Sequence, residues 1–273
     1  MGTGEVAAAQ LRLRAALRGA VGRGEMHVAY QPIVNLDSGA PVGYEALARW
    51  NSPEPGSVSP VDFIPAAERT GEIVTIGEWV LRTACSQLAQ WRSDGAELSI
   101  SVNLASLQLE LPNLKDVVES ALAEHDLPAS ALVLEITEGV LIGAGALQAH
   151  NLQAIRELGV RISLDDFGTG YCALGYLKRF PIDELKIDRS FVDSIEADRR
   201  DASLVQAILA LAQGLSLDVV AEGIETPGQQ RLLKLLGCRL GQGYLFAPPA
   251  PAAMVQRVSQ FSAHAPDALA SAW

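Results

Sequence analysis

The segment VRISLDDFGTGYCAL, residues 160–174, alternates Val160, Ile162 and Leu164 as a strand does, then sets Asp165 and Asp166 side by side before a glycine-rich turn. Asp and Gly are common turn formers, so the pair alone could simply end a strand. Polar residues interrupt other apolar runs in the same way: Glu45 in YEALAR, Asn103 in ISVNL, Glu135 in LVLEIT, Lys186 in ELKID, Glu222 in VVAEG and Gln242 in LGQGY. Glu45, Glu135, Asp165, Asp166 and Glu222 gathered on one rim would raise one another's pKa and destabilise the fold unless a cation compensated. Carboxylates with an amide oxygen from Asn103 suit a hard ion, Mg2+ or Mn2+ and sometimes Ca2+, whereas zinc usually recruits His or Cys. His27, His125, His150 and His264 fall at a strand start, in helices or in the tail, and read as surface residues. So many carboxylates exceed what one Mg2+ takes from protein. Two ions bridged by an aspartate fit better, and such a pair is the usual device for in-line attack of water on a phosphodiester.

These side chains converge only if the elements carrying them do. Strand-like runs occur at HVAYQPIV, PVGYEALAR, ELSISVNL, ALVLEIT, VRISLDD, DELKID, LDVVAE and RLGQGYLF, with helical stretches such as GEWVLRTACSQLAQWRSDG and LQAHNLQAIRELG between most of the later ones. From Asn103 through Glu135, Asp165, Lys186 and Glu222 to Gln242 the gaps are 32, 30, 21, 36 and 20 residues, each spanning one βα unit. This rhythm predicts an α/β fold, a TIM-like (β/α)8 barrel whose polar residues gather at the C-terminal strand ends. The first two runs are separated only by NLDSGA, which suits a hairpin, so the barrel should be modified, with one antiparallel strand. NSPEPGSVSP, residues 51–60, reads as loop.

The chain has 273 residues, enough for one such barrel, and 49% of them are hydrophobic. Residues 1–23 contain a linker-like Ala/Leu/Arg helix over 5–22, and residues 262–273 read as a tail. No run reaches the roughly 18 apolar residues of a membrane span, and the arginine-dotted N-terminus lacks the apolar core of a signal peptide. The expectation is a cytoplasmic protein without membrane insertion. Cys85, Cys172 and Cys238 are odd in number and far apart, which suggests reduced thiols rather than disulfides or a Cys-x-x-Cys metal site. A formal net charge of -11 argues against binding a nucleic acid polymer through its phosphates.

EALARW from Glu45, Asn103, EITE from Glu135, DDFGTG from Asp165, KID from Lys186, EGIE from Glu222 and QGYLF from Gln242 stand in the order and context of a known family. Over residues 24–261 the chain resembles the EAL domain, the bacterial phosphodiesterase of cyclic di-GMP. The resemblance implies that Glu45, Asn103, Glu135 and Asp165 hold one metal, while Asp165 bridges to a second held with Asp166 and Glu222. It gives Lys186 a contact with the attacking water or scissile phosphate, and has Asp188 orient that region. Gln31 and Arg49 match positions that contact a guanine and a phosphate, and Gln242 and Tyr244 line the pocket. Glu138 and Glu225 match residues that steady the loop after the paired aspartates. The cofactors implied are two Mg2+ or Mn2+ ions, with Ca2+ inhibitory.

The family usually continues that loop as Gly-Tyr-Ser-Ser-Leu, and here Cys172 and Ala173 follow Tyr171. A homodimer through the loop after Asp166 is implied, but a weak one, because two hydroxyls are missing. The leading expectation is hydrolysis of cyclic di-GMP to linear pGpG. A receptor that binds without turnover is a second reading, opposed by the full set of metal ligands. A barrel metalloenzyme working by proton abstraction is a third, opposed by the lack of a Lys/His base pair.

Overall fold

The structure, a computed structural model, describes residues 11–54, 56–93, 95–168 and 174–255. A helix over residues 11–17 (α1) leads into β1 (Met26–Asn35) and β2 (Pro41–Ser52). β3 (Gly56–Val58), α2 (Pro60–Thr70) and α3 (Glu72–Arg92) follow, then β4 (Ser99–Asn103), α4 (Ser106–Leu109) and α5 (Leu114–Ala123). β5 (Leu132–Thr137), α6 (Glu138–Gly143), α7 (Ala146–Glu157), β6 (Arg161–Phe167), α8 (Leu174–Arg179) and β7 (Glu184–Ile187) continue the alternation. The last elements are α9 (Arg189–Asp193), α10 (Arg199–Leu215), β8 (Asp218–Ala221), α11 (Pro227–Leu235), β9 (Leu240–Gly241) and β10 (Ala250–Pro251).

β2, β4, β5, β6, β7, β8 and β9 pair in that order, all parallel. β1 closes the ring between β2 and β9, antiparallel to both. The expected TIM-like barrel with one antiparallel strand is therefore present. The hairpin has a local cause: Asn35 Oδ1 accepts from the backbone N of Asp37 and of Ser38, each at 3.0 Å, and Gly39 takes φ +71°. Chain reversal is complete within six residues, too few for a crossover helix.

Along β7, Leu185 and Ile187 join the hydrophobic core while Lys186 and Glu184 project to the opposite face, into the barrel. α3 packs its buried face, Ile73, Ile76, Val80, Ala84 and Leu88, against the strands. Leu17 and Ala20 lie in the same core, so the described part of the N-terminal segment is anchored to the barrel.

Two expectations need correction. Residues 51–60 are not all loop, because β3 pairs with Trp50–Ser52 and sets Val58 opposite the fully buried Trp50. Trp50 meets Phe63 edge-on with ring centroids 6.0 Å apart, and its indole N–H donates to Glu25. The run RLGQGYLF keeps strand pairing only at Leu240–Gly241, and beyond it the chain folds back on Ile224, which donates to Gln242 O and accepts from Leu245 N.

Candidate active site

The strand register brings the polar residues together. Asn103 lies opposite Glu135, Thr137 opposite Asp165, and Glu45 opposite Ser101 two residues before Asn103. At the centre stands Lys186, 1% exposed. Its Nζ lies 2.7 Å from Glu222 Oε1, 2.9 Å from Glu135 Oε2, 3.3 Å from Glu45 Oε2 and 3.4 Å from Asp165 Oδ1. Burial pushes the ammonium's pKa down, but the charges of Glu135, Glu45, Glu222 and Asp165 outweigh it and hold the pKa well above that of an ordinary lysine.

The acids diverge in response to their neighbours. Burial raises Glu45, yet the charge of Lys186 and hydrogen bonds from Gln242 Nε2 (2.6 Å) and Asn103 Nδ2 (2.9 Å) bring it below its usual value. Glu135 is raised well above the carboxyl range by burial and by the charge of Glu45, and its Oε1 finds no hydrogen-bond partner among the described residues. Glu222 is pushed up to about 7, chiefly by burial.

Asp165, Asp166 and Glu222 each offer an oxygen, and these lie within 4.8 Å of one another. Asp166 is held at φ +55°, an unusual conformation for a non-glycine residue, and its backbone N–H donates to Asp165 Oδ1 at 3.0 Å. Burial followed by the charges of Asp165 and Asp188 raises the Asp166 pKa. The donors are oxygens and include no histidine, the chemistry of a site for a hard divalent cation. The residues fit such ions.

Gln31 and Gln242 are buried and linked, Gln242 Nε2 donating to Gln31 Oε1 at 3.2 Å, while Gln31 Nε2 donates to Ala247 O. Arg49 lines a cavity of about 280 Å3 with Pro60, Ile64, Glu68, Asn103 and Leu104. Tyr244, 65% exposed, lines a second of about 200 Å3 with Gln31, Arg189, Glu222, Glu225 and Gln242. Asp188 caps α9 by accepting from Ser190 N at 3.1 Å and from the Ser190 hydroxyl. Glu138 is buried with neither carboxylate oxygen bonded to a described residue. Cys172 and Ala173, on which the dimer expectation turns, lie outside the described residues, as do residues 1–10 and the tail over 262–273.

A family model for the EAL domain matches residues 14–249. The chain belongs to the EAL domain family. It is 46% identical over 244 residues to the bifunctional diguanylate cyclase/cyclic di-GMP phosphodiesterase MucR of Pseudomonas aeruginosa, covering 89% of this chain and 36% of that protein. With the cyclic di-GMP phosphodiesterase NbdA of the same species it shares 43% identity over 261 residues, 94% of this chain and 33% of the relative. The chain thus spans about a third of the length of these curated relatives. A solved structure described as the PaMucR phosphodiesterase in complex with c-di-GMP superposes with TM-score 0.84 at 45% identity, covering 89% of this chain and 99% of that one.

Within this EAL domain, sequence reasoning passed over Arg189 and Gly223. Arg189 follows KID and had no pattern to mark it. Gly223 takes φ +68°, and a Cβ there would stand 2.4 Å from Arg189 Cβ, so the loop carrying Glu222 rests directly on the arginine stem.

Proposed function

We propose that this EAL domain hydrolyses cyclic di-GMP to linear pGpG with two divalent ions, Mg2+ or Mn2+. The observation that carries the reading is Lys186, fully buried and within 3.4 Å of four carboxylates, with Asp166 beside them. Glu45, Asn103, Glu135 and Asp165 would hold one ion, and Asp165, Asp166 and Glu222 the other. Bound there, the ions would lower the pKa of water and neutralise charge on the phosphate.

The chain's own residues do the rest. Arg49 forks onto a non-bridging phosphate oxygen, and Gln31, Gln242 and Tyr244 position the nucleotide. Attack of water oxygen on phosphorus forms one P–O bond as the bond to the ribose 3′ oxygen breaks, leaving a 5′-phosphate and a 3′-hydroxyl. Lys186 presents its positive charge to the attacking water and to charge growing on the phosphoryl oxygens, and Asp188 fixes the start of α9 immediately after it. Glu138 and Glu225 steady the loop after the paired aspartates. This reading extends to an EAL unit over residues 24–261, a cytoplasmic setting, and a weak homodimer through the loop after Asp166, which sedimentation at high micromolar concentration would detect.

The deciding experiment is incubation of cyclic di-GMP with the protein in Mg2+, Mn2+, Ca2+ or excess chelator, with products separated by chromatography. We expect pGpG with Mg2+ or Mn2+ and none with Ca2+, which accepts looser coordination and activates water poorly. Glu45→Ala and Asp165→Ala should lose at least about 100-fold in rate, the scale of losing one transition-state contact. Full turnover in chelator overturns the metal reading, and binding without turnover in Mg2+ and Mn2+ makes the domain a receptor.

A further inference from the structure

The carboxylate cluster has a cavity on each side, and each cavity contains one arginine among its described lining residues. The cavity of about 280 Å3 between β2, α2, α3 and the loop after β4 holds Arg49. The cavity of about 200 Å3 between β1, the start of α9 and the loops after β8 and β9 holds Arg189. Asn103 borders the first, and Glu222 and Gln242 border the second, so the cluster lies between them. A ligand made of two identical nucleotide halves, cut at one of its two phosphates, needs recognition on both sides of the cut. Resting on the proposed cyclic di-GMP reading, we propose that Arg189 is the base-reading residue of the second cavity: its guanidinium forks onto O6 and N7 of a guanine stacked on Tyr244.

The local structure prepares Arg189 for this. Its stem is fixed, because Asp188 caps α9 immediately before it and Gly223 packs on it, with Cβ-to-Cα room of only 3.2 Å. Its head is available: the side chain is 65% exposed, and its ion pair with Asp193, itself 45% exposed, is long at 3.4 Å. An exposed i,i+4 pair of this kind costs little to give up. Tyr244 offers its ring at the cavity's edge.

The electrostatics favour a base over a second phosphate. Glu222 and Glu225 line the same cavity and would repel phosphate, whereas a guanine edge is uncharged. O6 and N7 are two acceptors spaced for a guanidinium fork, and Glu225 adds an acceptor suited to the N1–H and N2–H donors of the same base. Adenine offers a donor at N6 where guanine has O6, so an arginine here discriminates between the two.

Calorimetry in Ca2+, where hydrolysis is expected to be suppressed, would measure cyclic di-GMP and cyclic di-AMP on the wild type, Arg189→Met and Arg189→Lys, with steady-state kinetics in Mg2+ alongside. Arg189→Met keeps the stem and removes the fork. It should weaken cyclic di-GMP about 10- to 100-fold, the worth of one bidentate base contact, and cyclic di-AMP by less than about twofold. In turnover the loss should fall more on KM than on kcat, and Arg189→Lys should recover part of it. Two results overturn the inference, each leaving the guanine-to-adenine ratio unchanged: no loss for either ligand, or equal loss for both, which would make Arg189 a phosphate contact. If the wild type binds no cyclic di-GMP the proposed function itself falls and takes this role with it, a result separable from either.

Discussion

Lys186 keeps a full charge with almost no access to water because Glu222, Glu135, Glu45 and Asp165 surround it at 2.7 to 3.4 Å. Those same side chains are the proposed metal ligands, so the ammonium and a divalent ion compete for one set of oxygens. Removing the lysine leaves buried acids uncompensated, which costs the metal-free protein stability and makes the site more attractive to a cation. Lys186→Met should therefore bind Ca2+ at least about tenfold more tightly in a calorimetric titration, since one divalent charge a few ångströms from a removed positive charge gains several kcal/mol even at high effective dielectric. The same variant should lose at least about 100-fold in kcat while binding cyclic di-GMP within a few fold, because the role proposed for the Lys186 charge is exerted chiefly in the transition state. Arg49→Ala should show the reverse balance, a raised KM with a smaller change in kcat. Equal loss of binding and turnover in Lys186→Met would make Lys186 a ground-state contact. The inward polar residues were legible because each breaks an apolar strand. Arg189 was not, since nothing in its neighbours' types reveals that a loop with Gly223 will lie across it.

At the scale of elements, the loops after β8 and β9 act as one unit. Gly243 lets the second pass so close to the first that a Cβ there would meet Ile224 O at 2.1 Å and Ile224 N at 2.3 Å. These are backbone atoms that cannot swing aside, and the bonds between Ile224 and Gln242 and Leu245 depend on the approach. Gly243→Ala should cost about 1 to 3 kcal/mol, the usual scale of overpacking, in denaturant unfolding. It should also lower turnover without touching a reacting group, by shifting Gln242 from its 2.6 Å contact with Glu45. Unchanged stability and rate would show that the two loops move independently. Most elements could be read from the sequence, and the β1–β2 reversal had its own signal in Asn35 and Gly39. β3 could not: Pro, Gly and Ser mask a three-residue edge strand whose reason to exist is Val58 covering Trp50, a contact made in space. β9 ends early for a similar reason, the backbone packing at Gly243.

Across the whole molecule, the buried acids couple stability to pH in a direction set by whether metal is bound. Glu222 is raised to about 7, and Glu135, Glu184 and Asp166 are raised as well, each first by burial. A carboxyl whose folded pKa lies above its unfolded value of about 4.3 contributes stability that is complete below the unfolded pKa and lost as pH climbs through the folded one. Glu45 works the other way, but its lowered pKa confines its effect to acid below that range, and Lys186, raised well above 10.5, stays charged throughout. In chelator the melting temperature should therefore fall between pH 5.5 and pH 8. Divalent ions need the same acids deprotonated, so their binding releases protons and strengthens as pH rises. In Mg2+ the fall should shrink or reverse, and calorimetry in buffers of different ionisation enthalpy should register protons released on metal binding. A melting temperature in chelator that stays level across this range would mean that the acids are already ionised without metal, with Lys186 alone sufficing to neutralise them.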